Sequence, residues 1–180
     1  MSDPGASRWY HCILTTFGAW LPGDPRGFRT RHHREHVEGD YKSPPPAGQY
    51  DDRWQRSQEL QSHPTVTLTL NDRELLGREV VRQAREQGIE LLSLSVGGQH
   101  LHLQFRCDPR CVIRTLGNLK RALWYARKGA GDGSRLWGRG RKVVPIRSRA
   151  HQERVLRYIL DHRDEGAWVW CWREGFDLLD

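Results

Sequence analysis

Apolar and polar residues alternate through Gln99-His100-Leu101-His102-Leu103-Gln104-Phe105, the pattern of a strand with one face against a core. Leu101, Leu103 and Phe105 then point one way and His100, His102 and Gln104 the other. Arg8 to Phe17, rich in aromatic and β-branched residues, reads as a first strand. Ile89 to Val96 reads as another, joined to the histidine strand by a Gly97-Gly98 hairpin. Between them Leu75, Leu76, Val80, Val81 and Ala84 recur at helical spacing. Asn71 serves as the expected N-cap, with Glu74 three residues on, and Gly88 as the terminator. A second helix spans Pro109 to Lys128, with Val112, Ile113, Leu116, Leu119 and Leu123 as its apolar stripe. Leu136 to Arg141 reads as a glycine-interrupted basic loop, and Lys142 to Ile146 as a short β segment. A third helix covers His151 to His162, followed by an aromatic tail from Gly166 to Trp172.

The order strand, helix, strand, strand, helix, strand is the split βαβ pattern. It predicts an α+β fold: a ferredoxin-like antiparallel sheet with helices, plus an additional C-terminal helix. Residues 21–62 break regular structure with prolines and glycines and read as a long, irregular N-terminal insertion. One short helix is expected there near Asp52–Leu60. A length of 180 residues fits a single domain, 1–180, carrying that insertion.

Charge narrows the partner. Lys plus Arg total 29 against 22 Asp plus Glu, a net of +7, which favours a polyanion such as nucleic acid. Lys120, Arg121, Arg127, Lys128, Arg135, Arg139, Arg141 and Lys142 interleave with Trp124 and Trp137. Cations set among aromatic rings suit single strands, through phosphate contacts and base stacking, although both tryptophans equally fit core packing. No apolar run is long enough to cross a bilayer, and the start resembles no signal peptide, so no membrane partner is expected. Cys12, Cys107, Cys111 and Cys171 are scattered, as expected of reduced thiols in a cytoplasmic protein.

Candidate chemistry centres on His100 and His102. Two imidazoles one residue apart on a strand face can grip one divalent ion. Tyr158 and His162 lie four apart on the third helix and so share a face, with His151 nearby. Taken without further context, Tyr158 fits better as an interfacial aromatic and His162 as a helix-end histidine. Arg31-His32-His33-Arg34-Glu35-His36 reads first as a solvated loop, with a phosphate or metal contact as the alternative. His100, His102, Cys107 and Cys111 also have the donor types of a structural zinc site, should the strand turn back sharply after Arg106.

His100-Leu101-His102 resembles the histidine–hydrophobe–histidine motif of the HUH endonuclease superfamily. Tyr158-Ile159-Leu160-Asp161-His162 resembles the tyrosine segment of its single-tyrosine transposases, the insertion-sequence type and the REP-associated tyrosine transposases. Leu136-Trp137-Gly138-Arg139-Gly140 is similar to their Leu-Trp basic loop, and Gly166-Ala167-Trp168-Val169 to the small-residue segment after their tyrosine helix. The resemblance covers the first strand and roughly residues 65–172. It implies a metal-dependent single-stranded DNA endonuclease and strand transferase acting through a 5′-phosphotyrosine intermediate. It further implies Tyr158 as nucleophile, His100, His102 and His162 as ligands of Mg²⁺ or Mn²⁺, hairpin-bearing DNA as substrate, and a homodimer. The chain departs from that family in carrying His162 where Gln or Asn is usual. Two rivals remain: a domesticated relative that processes repeat hairpins, and a nucleic-acid-binding module without catalysis.

Overall fold

The computed structural model describes residues 7–26, 28, 45–129 and 135–174. The chain divides into two compact units, Met1–Phe17 with Val66–Asp180, and Gly18–Thr65. In chain order the elements are β1 (Arg8–Thr16), α1 (Asp51–Glu59), α2 (Leu70–Glu86), β2 (Glu90–Val96) and β3 (His100–Cys107). They continue with α3 (Val112–Gly129), β4 (Trp137–Pro145), α4 (Arg149–Asp161), β5 (Trp168–Cys171) and a 3₁₀ turn at Trp172–Glu174. The histidine run Arg31–His36 lies outside the described residues.

In the larger unit the strands form one antiparallel sheet in the order β4-β1-β3-β2-β5. Period-two alternation gives it two different faces. Tyr10, Cys12 and Leu14 of β1, with Leu101, Leu103 and Phe105 of β3, enter one core cluster with Leu76 and Val80 of α2 and Leu116 and Leu123 of α3. The opposite face carries His11, Ser93, Ser95, His100, His102 and Gln104, and α4 packs over it against β2, β3 and β5. Val155 and Ile159 are the residues of α4 that bury.

Three boundaries differ from the sequence expectation. Helix α2 is capped by Thr69, whose hydroxyl accepts from the Asp72 N–H while the Asp72 carboxylate accepts from the Thr69 N–H. That reciprocal pair starts the helix before Asn71, so Asn71 and Glu74 lie inside it. The basic loop is strand: β4 opens at Trp137, and Gly138 allows the close approach to β1, since a Cβ there would stand 3.1 Å from the Thr16 carbonyl oxygen. The aromatic tail is also strand, β5, pairing Leu94 with Trp170 and burying that indole in the core. Four residues are too short for periodicity to reveal a strand. In the smaller unit, α1 falls where the short helix is expected, and Asp24 is fully buried against Arg26 at 2.6 Å.

The zinc alternative does not form. Strand β3 runs straight from His100 to Cys107, so alternation turns Cys107 to the core side and away from His102. Five residues of strand also separate His102 from Cys107, roughly 16 Å.

Gly77 is where α2 meets β5: a Cβ there would lie 2.1 Å from Cε3 of Trp168. Helix propensity alone would favour alanine at this position by about 1 kcal/mol. The contact predicts the opposite sign: Gly77→Ala should destabilise by about 1–3 kcal/mol. Urea denaturation checks this, and adding Trp168→Leu should recover part of the loss.

Candidate metal centre

Strand β3 sets His100 and His102 on the sheet face away from the core, and α4 closes over them. Packing a helix onto a polar face requires partners for that face. Ser93 Oγ donates to Gln104 Oε1 at 3.0 Å, and Gln104 Nε2 donates to the Gln152 carbonyl of α4 at 3.0 Å. Gln104 is fully buried and thereby ties β2, β3 and α4 together.

The same helix brings in His162. It is the C-cap of α4, still in right-handed helical conformation, so it stays one turn beyond Tyr158 on the same face. Its Nδ1 lies 2.7 Å from the Tyr158 carbonyl oxygen. A carbonyl can only accept, so Nδ1 carries the hydrogen and Nε2 is left with its lone pair. His100, His102 and His162 each offer a ring nitrogen, all within 4.8 Å of one another. Tetrahedral ligand bonds of about 2.1 Å set donors about 3.4 Å apart, so the widest pair would draw together by about 1.4 Å, within reach of small side-chain rotations. The triad can therefore hold a divalent metal ion. The donor chemistry fits: three neutral imidazoles suit borderline transition metals better than Mg²⁺. A further polar group sits beside the triad: Ser95, the cross-strand partner of His102, has a buried hydroxyl with no hydrogen-bond partner.

Tyr158 stands at the edge of this cluster. Its ring meets those of His162 and His102 nearly edge-on, with centroids 4.7 and 5.2 Å apart. The residue is 48% exposed, whereas His102 is 3% exposed, so the phenol sits where the buried histidines reach solvent.

A fourth histidine belongs to the same face and is missing from the sequence expectation. His11 of β1 lies opposite Gln104, and its Nε2 is 2.9 Å from His102 Nδ1. The two rings stack with centroids 5.2 Å apart, and Tyr158 lies 5.9 Å from His11. Alternation around Tyr10 and Cys12 already turns His11 away from the core. What alternation lacks is the register between strands far apart in sequence, here Ile13 with His102.

Burial keeps His102 and His11 neutral. Burial pushes His102 down to about 2, reinforced by His100, His162, His11 and Lys142. Burial likewise lowers His11 to about 4, with Lys142, His151 and His162 adding to it. Lys142 pairs across β4 with Ile13, which pairs in turn with His102, so its ammonium group lies on the metal-site face. Two strand spacings put it about 10 Å from His102.

The other cations expected to meet nucleic acid divide into two sets. Arg121, Arg139 and Arg141 are exposed, as are Lys128, which lies over Trp124, and Arg135, which lies over Phe17. Lys120 donates to the carbonyls of Gly138 and Gly140, and Trp137 Nε1 donates to the Lys120 carbonyl. Those three contacts join α3 to the edge strand β4. Arg127 is placed inside the fold: it is 7% exposed, with Nε 3.0 Å from the carboxylate of Asp72 on α2. Its position near the end of a basic helix gave no sign of this, because the Asp72 partner lies 55 residues away.

No protein family's sequence pattern matches this chain. No curated protein matches it by sequence either. Among solved structures, a crystal structure of a "putative transposase" from Deinococcus radiodurans R1 aligns over 87% of this chain and 91% of its own, with 18% identity and a TM-score of 0.40. No helix among the described residues is long and apolar enough to cross a membrane.

The histidine pKa values fix how metal-free stability depends on pH. Both histidines are held below the ordinary value of 6.5, so the unfolded chain binds protons that the folded one refuses. Their contribution is fully present above pH 6.5 and is lost as pH falls, through about 4 for His11 and about 2 for His102. Between pH 6.5 and 4 each group contributes a slope of up to about 1.4 kcal/mol per pH unit. The urea midpoint of metal-free protein should therefore drop across this interval, and drop less steeply in His11→Phe.

Proposed function

We propose that the larger unit is a metal-dependent single-stranded DNA endonuclease and strand transferase of the single-tyrosine HUH type, with Tyr158 as its nucleophile. The observation that carries this reading is the convergence of Tyr158 with three potential ligand imidazoles, contributed by one strand and one later helix. The strand order β4-β1-β3-β2, all antiparallel, supports reading the sheet as ferredoxin-like, with α4 as the added tyrosine helix and 21–62 as an insertion on one nuclease domain.

His100, His102 and His162 would hold Mn²⁺ or Mg²⁺, and the ion would supply charge neutralisation and polarisation at a scissile phosphate. The Tyr158 oxygen attacks phosphorus, the bond from phosphorus to the 3′ oxygen breaks, and that oxygen leaves as a 3′-hydroxyl after taking up a proton. The 5′ side remains on Tyr158 as a phosphotyrosine ester. The ester keeps the bond energy, so a second 3′-hydroxyl can displace it without ATP. A phenol with an ordinary pKa of about 10 needs its proton removed during attack. Its half-exposed position lets the DNA and solvent reach it. Lys142 would face a neighbouring phosphate on the same sheet face, while Arg139 and Arg141, exposed on the same edge strand, carry the basic surface around its edge, Arg141 on the opposite face beside Leu14. Hairpin-bearing single strands are the substrate class, and a homodimer is the working assembly.

Incubation with labelled hairpin-bearing single-stranded DNA and Mn²⁺ should give a covalent protein–DNA band. Tyr158→Phe should abolish that band while leaving DNA binding within a few-fold. A band in Tyr158→Phe that Tyr125→Phe removes would transfer the role to the exposed Tyr125 on α3.

Binding should weaken steeply with salt. Each lost phosphate contact should lower the slope of log K against log salt by about 0.7 for a single strand. Arg139→Ala with Arg141→Ala should therefore lower it by about 1.4. An unchanged slope removes Arg139 and Arg141 from the footprint.

A further inference from the structure

We propose that His11 is a positioning residue for the metal centre: it accepts a hydrogen bond from His102 Nδ1 and so fixes the ring and tautomer through which His102 ligates. This rests on the metal-site reading above. His11 Nε2 and His102 Nδ1 are 2.9 Å apart, so one nitrogen must carry the hydrogen and the other the lone pair. Two tautomeric arrangements satisfy the contact. If His11 donates, the hydrogen of neutral His102 sits on Nε2, and neither of its ring nitrogens is open to an ion. If His102 donates, its Nε2 keeps the lone pair, and His11 carries its own hydrogen on Nδ1. Only the second arrangement is compatible with His102 as a ligand in the triad.

His162 is arranged in the same way. Its Nδ1 is spent on the Tyr158 carbonyl, leaving Nε2 as the open donor. Two ligands thus have Nδ1 anchored, one by the backbone of α4 and one by a side chain of β1. An outer partner on the far nitrogen orients a ligating imidazole and raises its basicity. The contact also spans two strands. The β1–β3 register places Ile13 opposite His102 and His11 opposite Gln104, so His11 reaches His102 diagonally along the same face. The near-parallel stacking of the two rings, 25° between planes, holds His102 against rotation about its own axis.

The test reads tautomer and metal affinity separately, on metal-free protein and by Mn²⁺ titration. Long-range ¹⁵N–¹H correlation spectra of metal-free wild type should show His102 protonated on Nδ1. His11→Phe keeps the ring volume but has no acceptor, and should raise the Mn²⁺ dissociation constant roughly 10–100-fold. His11→Gln returns an acceptor and should recover part of that loss. On a His102→Ala background, His11→Phe should have no further effect on Mn²⁺ affinity, which a purely structural role would not explain. A wild-type His102 protonated on Nε2 overturns the proposal whether or not the variants fold. So does unchanged Mn²⁺ affinity in folded His11→Phe. Mn²⁺ binding with the expected His11 effect, but no covalent DNA adduct, leaves the role of His11 standing and overturns the strand-transfer reading. A wild-type chain that binds no Mn²⁺ overturns both.

Discussion

A sheet face lined by His11, Ser93, Ser95, His100, His102 and Gln104 lies under a helix at a cost set by how many of its polar groups are satisfied, and of these side chains the Ser95 hydroxyl is left without a partner. Each buried group left unpaired costs about 1–3 kcal/mol. Helix α4 lowers that cost through the Gln152 carbonyl, which takes the Gln104 amide, while Ser93 takes its oxygen. Within the face, His11 and His102 satisfy one another. The position of α4 follows from these bonds together with burial of Val155 and Ile159. Tyr158 and His162 arrive beside β3 as a consequence. The polar pattern of the sheet and the placement of the candidate nucleophile are therefore one structural problem with one solution.

Burial that strains this face also tunes it. Desolvation disfavours protonated imidazole, so the buried rings remain lone-pair donors well below neutral pH. Protons then compete weakly for His102, which leaves that ring ready for a cation. The other face of the sheet has no such role. Its leucines and valines pack α2 and α3 into the hydrophobic core, and Arg127 pairs with Asp72 between those helices.

Much of this was legible in the chain because two periods carry it. The alternation through His100–Phe105 correctly separated core from polar face, and the four-residue spacing of Tyr158 and His162 placed both on one side of a helix. What escaped depended on partners distant in sequence. His11 looks like any polar residue in a strand until the register sets it beside His102, 91 residues on. Arg127 looks like surface charge until Asp72 is found facing it. Strand β5 and the start of β4 escaped for another reason. The first is too short for a periodic signal, and glycines interrupt the second, although one of them, Gly138, lets the edge strand approach its neighbour. The cap of α2 was misplaced because Thr69 and Asp72 form the same motif as the expected pair, slightly earlier in the chain.

The claim on which the rest turns is that three imidazoles hold one ion beside Tyr158. Anomalous diffraction from crystals grown with Mn²⁺ measures this directly. The account predicts a single strong peak at coordinating distance from Nε2 of His102 and of His162 and from a ring nitrogen of His100, next to the Tyr158 ring. A saturating Mn²⁺ soak that leaves this position empty, or places the ion on other ligands, would contradict it.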